Sequence, residues 1–268
     1  MTGTALPGGR FADPVRDGDT VDRLMGPGAP NVHALLRHLE QQEFLLAPRV
    51  MGVTDDRRRE ILSFLPGTPA HPPHTAAVRS ERALRSAGRA IRQLHDATIG
   101  FRPPEPGRWA VQDVAMPVAV DCIGHGDLTL GNLLFDGDQV VGIIDFDTAA
   151  PSNRIWDLAY LAHWLVPLHP EEDLPNFGWK AAPDRARRLR ILAAAYDPLL
   201  KPARLLDLAA LRLLSIGAHI AGQADAGNPA YAVHAKHDYP AGYRRATAYI
   251  LGHREQLLAP PRHRSSPV

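Results

Sequence analysis

Residues 125–147, running His-Gly-Asp-Leu-Thr-Leu-Gly-Asn and then Leu-Leu-Phe-Asp-Gly-Asp-Gln-Val-Val-Gly-Ile-Ile-Asp-Phe-Asp, constrain this chain more than any other stretch. Two short apolar runs, Leu133–Phe135 and Val140–Ile144, flank the turn signal Asp136-Gly137-Asp138-Gln139, so the spacing predicts a β-hairpin. With Asp136–Gln139 as its loop, Phe135 faces Val140 and Asn132 lies opposite Ile143. Asp145 then follows two residues on, roughly 7 Å at the ~3.4 Å rise of a strand. An amide oxygen and a carboxylate therefore meet at the open end of one hairpin. Both are hard oxygen ligands of the kind that hold Mg²⁺ beside phosphate oxygens. Asp127, five residues before Asn132, adds a carboxylate able to orient a hydroxyl and accept its proton.

The rest of the chain predicts a setting for that hairpin. The Asp17-Gly18 turn signal predicts short strands on either side of it, and Asn31 reads as the N-cap of a helix over Val32–Gln42. Val50–Val53 and Glu60–Leu65 read as two further strands. Residues 1–65 thus form a small β-rich lobe, and the proline-rich stretch 66–74 a hinge. Beyond it the periodicity turns helical: Thr75–Ala97, Arg154–Leu165, Pro183–Leu199, Ala203–Ala221 and Gly242–Leu258. Residues 75–259 are read as the larger, mainly helical lobe, and 260–268 as a disordered tail. The expected class is α+β with a small β-rich N-lobe, a helical C-lobe and a cleft between them.

Composition narrows the function. With 30 basic and 29 acidic residues the formal charge is +1, which gives no support to a nucleic-acid or membrane-surface role. One cysteine, Cys122, excludes a disulfide framework and a cysteine zinc site. No apolar run approaching the ~20 residues of a membrane span is apparent, and the N-terminus lacks a signal-peptide pattern, so the expected location is cytoplasmic. Of the 13 histidines, the pairs His71/His74 and His234/His237 lack a third ligand at a useful spacing and read as solvated. Trp156, Trp164, Tyr160 and Leu161 read as core. No G-x-x-x-x-G-K-[ST] loop is present, which disfavours that class of nucleotide-binding protein.

His125-x-Asp127-x4-Asn132, followed by Asp145, has the spacing of a kinase catalytic loop and its metal-binding aspartate, with Gly126 in place of arginine. The segment resembles the catalytic core of the aminoglycoside phosphotransferase and choline kinase family, which has a two-lobed protein-kinase-like fold. The resemblance extends to Gly88–His95, Trp156–Tyr160, Val32–Glu40, Ala47–Val53 and Arg59–Gly67. The last three resemble a bacterial branch described as phosphotransferases or trifolitoxin-immunity-type proteins. It implies a kinase that uses Mg²⁺ and ATP, or GTP, to phosphorylate a small-molecule hydroxyl. It further implies Asp127 as catalytic base, Asn132 and Asp145 as metal ligands, and His125 and Asp157 as supports of the catalytic loop, Asp157 capping its helix. Asp147 either assists at the metal or is a solvated turn acid. For the nucleotide it implies Gly8 and Gly9 at the first hairpin, Arg23 on the third strand with Glu40 as its helix partner, and Ser63 and Leu65 before the hinge. Three features depart from that pattern: no G-x-G-x-x-G is present, Asp13-Pro14 interrupts the expected second strand, and Asp22 sits beside Arg23.

The few residues between Asp145 and the helix at Arg154 leave no room for a peptide-docking activation segment, so the acceptor is expected to be small. From Lys180 onward 14 Lys and Arg stand against 6 Asp and Glu, a balance that favours a neutral or anionic acceptor over a polycationic aminoglycoside. The alternative reading is a catalytically weak immunity or binding protein that uses the same fold to sequester a ligand or peptide.

Overall fold

The computed structural model of the chain describes residues 3–6, 12–110, 116–228, 231, 234 and 237–260. Gly8, Gly9 and the tail from residue 261 lie outside them. Strands β1 (Thr4–Ala5), β2 (Val15–Asp17), β3 (Thr20–Leu24), β4 (Val50–Val53) and β5 (Arg59–Ser63) form an antiparallel sheet in the order β1-β2-β3-β5-β4. Pro14 interrupts nothing: β2 starts immediately after it, where a missing N–H leaves no gap in the ladder. The β3–β5 register sets Arg23 opposite Glu60, which decides the chemistry of this lobe.

Helix α1 (Ala29–Gln41) covers the sheet with Leu35, Leu36 and Leu39. It begins earlier than an Asn31 cap requires, with Gly28 at the cap and Pro30 in the first turn, where its fixed φ and absent N–H are tolerated. Asn31 is instead fully buried. Its Nδ2 donates to the carbonyls of Glu105 and Arg108, both at 2.8 Å, and ties the helix start to that loop.

The segment expected as a hinge contains β6 (Thr68–Pro69), which pairs with β8 (Leu133–Asp136) of the predicted hairpin. The hairpin closes on β9 (Gln139–Ile143). Phe135 faces Val140 as the turn spacing demands, but an irregularity after Leu134 moves the register, so Leu133 rather than Asn132 faces Ile143. Asn132 still meets the returning strand, because its carbonyl accepts from Ile144 N–H at 2.9 Å.

Helix α2 (Glu81–Ala97) starts later than the apolar pattern suggested. Ser80 caps it, its hydroxyl accepting from Ala83 N–H at 3.1 Å. Leu84, Ile91 and Leu94 form its buried stripe. After β7 (Cys122–Gly124) and β10 (Ala150–Ser152), a short antiparallel pair, the chain continues as α3 (Arg154–Leu165), α4 (Arg185–Tyr196), α5 (Pro202–Asp225), α6 (Tyr239–Gly252) and the short α7 (Arg254–Leu257). Among the described residues α5 alone is long and apolar enough to cross a membrane by length and composition, which corrects the expectation that no such stretch exists. Half of its apolar window is buried, and it packs against α3 and α6 as the central helix of this lobe. The result is a two-lobed, kinase-like α+β fold.

Candidate active site

The β7–β10 pair holds both ends of the site. Gly124 faces Ala150 across it, so the chain leaves β7 into His125-Gly126-Asp127 and returns through Asp145–Thr148 directly alongside. Gly126 has φ +82°, and a Cβ there would stand 2.3 Å from the Thr148 carbonyl oxygen. This close approach excludes the arginine of the kinase pattern at that position.

His125 is fully buried and fixed at both nitrogens. Nε2 donates to the Ile144 carbonyl at 2.9 Å, and Nδ1 accepts from Asp127 N–H at 3.3 Å. Asp157, also fully buried, accepts from the N–H groups of His125 (2.8 Å) and Gly126 (3.0 Å). His95 Nε2 meets the same carboxylate at 3.1 Å. Burial opposes the Asp157 charge, but the His95 hydrogen bond, the nearby imidazoles and the His125 N–H outweigh it and hold its pKa down to about 2. Asp157 does not cap α3 as expected; Asn153 does, its side chain accepting from Ile155 and Trp156 N–H. An aspartate four residues into the helix faces the loop packed beside it, whereas the cap position precedes the first turn.

Asn132 Nδ2 donates to both the backbone carbonyl (2.8 Å) and Oδ2 (2.9 Å) of Asp127. Burial raises the Asp127 pKa and the Asp145 charge adds to the rise, against the opposing pull of His125, the Asn132 hydrogen bond and Arg212. Arg212, on α5, donates to the Gly126 carbonyl at 2.8 Å while its guanidinium lies over the rings of Trp156 (5.3 Å) and Tyr160 (5.8 Å).

Arg23 bridges the lobes. Its Nε donates to Glu60 at 2.6 Å, one terminal nitrogen to Asp145 at 3.0 Å and the other to Asp147 at 2.5 Å. Burial opposes its charge, but Asp147, Glu60 and Asp145 together hold its pKa above the ordinary value. Glu40 is not its partner. Glu40 is exposed in the last turn of α1 and lies 3.5 Å from Arg49, while His33, roughly 10 Å back along the helix axis, donates to the second Glu60 oxygen. Asp22 does not oppose Arg23 either, because adjacent strand residues point to opposite faces and Asp22 pairs with Arg59.

The donor set suits a hard divalent cation. Among the described residues Asn132 uses its amide nitrogen on Asp127 and its side-chain oxygen takes no hydrogen bond, and Asp145 engages Arg23 through Oδ1 only. The Arg23 guanidinium between Asp145 and Asp147 shows that this corner already stabilises positive charge. No three His, Cys, Asp or Glu side chains form a cage among the described residues. Mg²⁺ commonly takes one or two carboxylates and completes its shell with phosphates and water.

Arg23, Ser63, Leu65, Asp127, Asn132 and Asp145 line one cleft of about 1260 Å³. Asp147 joins this group through Arg23, whereas His125 and Asp157 lie behind the loop and Glu40 lies away from it. Trp156, Tyr160 and Leu161 are core as expected, with Trp164 packed against them, and Trp156, Tyr160 and Trp164 also line the cleft. One expectation for the histidines needs correction: His74 is buried rather than solvated because it sits under Phe177. Sequence reasoning missed Glu60, His95 and Arg212. His95 ends the Gly88–His95 match and Glu60 lies within Arg59–Gly67, so both were within reach. Arg212 sits on an otherwise ordinary helix with no motif around it.

A two-lobed kinase fold, with an Asp–Asn–Asp set beneath an arginine from the third strand, defines the class. Residues 23–115 and 109–189 match the phosphotransferase enzyme family, and the chain belongs to it. It is 36% identical over 194 residues to the trifolitoxin immunity protein of Rhizobium leguminosarum bv. trifolii, covering 71% of this chain and 72% of that protein. The fold is shared with a choline/ethanolamine kinase family protein from Mesorhizobium loti (TM-score 0.59, 20% identity, 93% of this chain and 92% of that one). It is shared equally with a macrolide 2′-phosphotransferase from Brachybacterium faecium (TM-score 0.60, 18% identity, 98% and 94%). An amicoumacin kinase solved with AMP-PNP and Ca²⁺ aligns at TM-score 0.62 with 15% identity over 92% and 87%.

Proposed function

We propose that this protein transfers the γ-phosphate of ATP or GTP to a hydroxyl group of a small molecule in a Mg²⁺-dependent reaction. The observation that carries the reading is the Asp127–Asn132 contact beside Asp145, all three on the floor of one cleft. Asn132, Asp145 and in part Asp147 would hold the cation, which when bound offsets the negative charge of the phosphate oxygens. Asp127 accepts the acceptor's hydroxyl proton as its oxygen bonds to the γ-phosphorus. The bond from that phosphorus to the β-phosphate oxygen breaks, and the nucleoside diphosphate leaves. Asn132 holds the carboxylate in place, and the raised Asp127 pKa makes it a better proton acceptor than an exposed aspartate. His125, Asp157, His95 and Arg212 fix the loop that presents it. Arg23 must exchange at least one carboxylate for phosphate oxygens, because all three of its nitrogens are engaged.

A second reading keeps the fold without rapid turnover: an immunity protein that sequesters its ligand. The 36% identity to the trifolitoxin immunity protein favours it. Thermal unfolding with ATP or GTP, each with and without Mg²⁺, separates the two. Saturation at about a hundredfold over Kd adds ~2.7 kcal/mol of stability, a clear rise in Tm. The phosphotransferase reading expects a Mg²⁺-dependent rise that Asp145→Ala removes. No rise with either nucleotide leaves the sequestering reading in place.

A further inference from the structure

Beyond Asp127 the cleft changes character. His169 stacks on Phe177 with ring centroids 4.2 Å apart and planes 18° from parallel. His163 lies 4.0 Å from His169 and 4.7 Å from Trp164, and Tyr160 and Tyr243 continue the wall, their hydroxyls 2.8 Å apart. All six line the same cleft as Asp127. These rings come from α3, α6 and the segment between α3 and α4, so the wall is built by the helical lobe.

The wall is uncharged. Burial pushes the His163 imidazole down to about 3, and burial with the nearby charges of His163, Arg185 and His74 pushes His169 well below its ordinary value. Two rim carboxylates have a cation nearby, Asp173 at 3.5 Å from Arg245 and the exposed Glu171 at 3.9 Å from Arg185, while exposed Glu172 between them points to solvent outside the lining. Among the described lining residues only Asp238, exposed before α6, stands outside an ion pair on this side. Arg212, between the wall and the catalytic loop, adds positive charge. A polycation entering here would meet a buried guanidinium, with Asp238 at the rim and Asp127 at the far end as the carboxylates outside an ion pair among the described lining residues. The wall also holds unmet polar capacity, since Nδ1 of His163, Nε2 of His169 and Nε1 of Trp164 have no hydrogen-bond partner.

We infer that this half of the cleft takes an uncharged hydroxyl compound bearing an aromatic or heteroaromatic ring, which stacks along the His169–Phe177 wall and presents its hydroxyl to Asp127. The inference rests on the phosphotransferase reading for the fate of that hydroxyl, but the ring-binding surface stands without it.

Calorimetry in the absence of nucleotide and metal tests the surface alone, using phenyl β-D-glucoside, methyl β-D-glucoside and kanamycin as probes. The expected result is that the phenyl glycoside binds at least tenfold tighter than the methyl glycoside, with kanamycin weaker than either. Phe177→Leu, which keeps an apolar side chain but removes the stacking face, erases the tenfold preference and leaves the Mg²⁺–nucleotide rise in Tm unchanged. Equal binding of the two glycosides, tighter binding of kanamycin, or no binding of any probe overturns the inference. An absent nucleotide effect in the unsubstituted protein, alongside a retained phenyl preference, overturns the phosphotransferase reading and leaves the binding surface standing.

Discussion

The two ends of the cleft solve opposite electrostatic problems. At the inner end Arg23 links Glu60 of the β-lobe to Asp145 and Asp147 of the helical lobe, and every charge has a partner across a sequence gap of tens of residues. At the outer end rings replace charges, and among the described residues several buried ring nitrogens have no hydrogen-bond partner. The ionic end satisfies its charges internally, whereas the aromatic end leaves buried ring nitrogens unpaired among the described residues. Breaking either end should therefore give different signatures.

The largest effect belongs to chemistry. Asp127→Ala should lower kcat by about 10²–10⁴-fold, the range for a general base, while leaving the nucleotide-dependent rise in Tm. Steady-state kinetics beside thermal unfolding checks both halves of that statement. Next is the ionic bridge. Arg23→Ala leaves Glu60 buried at 2% exposure with only His33, and removing one partner of a buried pair costs about 3–5 kcal/mol. Urea unfolding should show that loss. By contrast His169→Phe, at the aromatic end, should cost far less, because deleting an unpaired buried nitrogen offsets the packing of a larger ring. A large loss there would erase the contrast between the ends.

Acid titration sharpens the comparison further. His163 has an ordinary pKa of 6.5 and a folded value of about 3, so the unfolded chain binds more protons between them. Its contribution is full above about pH 6.5 and is lost as the pH falls toward 3. Asp157 is depressed from 3.8 to about 2, so its contribution of roughly 2 kcal/mol is present above pH 4 and lost on approach to pH 2. Urea midpoints against pH should decline in two legs, and His163→Phe should make the first shallower, His169 and His74 still contributing to it, while keeping the second. A further loss concerns the loop. Gly126→Ala forces a side chain against the Thr148 backbone carbonyl at positive φ, so it should cost more than the about 1–3 kcal/mol of backbone strain alone, measurable in the same unfolding assay.

Much of the inner site was legible because it is local. Asp127, Asn132 and Asp145 lie within one loop and hairpin, and helix α3 follows its apolar pattern to the residue. A one-residue register shift in the hairpin did not move the site, since Asn132 and Ile144 stay hydrogen-bonded. Long-range choices were not legible. The partner of Arg23 depends on which residue faces it across β3 and β5, and a strand's face alternates with every residue. Glu40 looked plausible only because a helix position alone does not say how far along the axis the ion pair lies.

The sequence by itself determined the kinase-like class, the Asp127 loop and the hairpin that brings Asn132 and Asp145 together, because spacing along a few dozen residues fixes those distances. Only the tertiary structure decided that Glu60 and not Glu40 anchors Arg23, that Arg212 reaches back 86 residues to the Gly126 carbonyl, and that buried neutral histidines line the acceptor side. Those outcomes come from helix and sheet packing between distant segments, and no local pattern in the chain encodes which faces will meet.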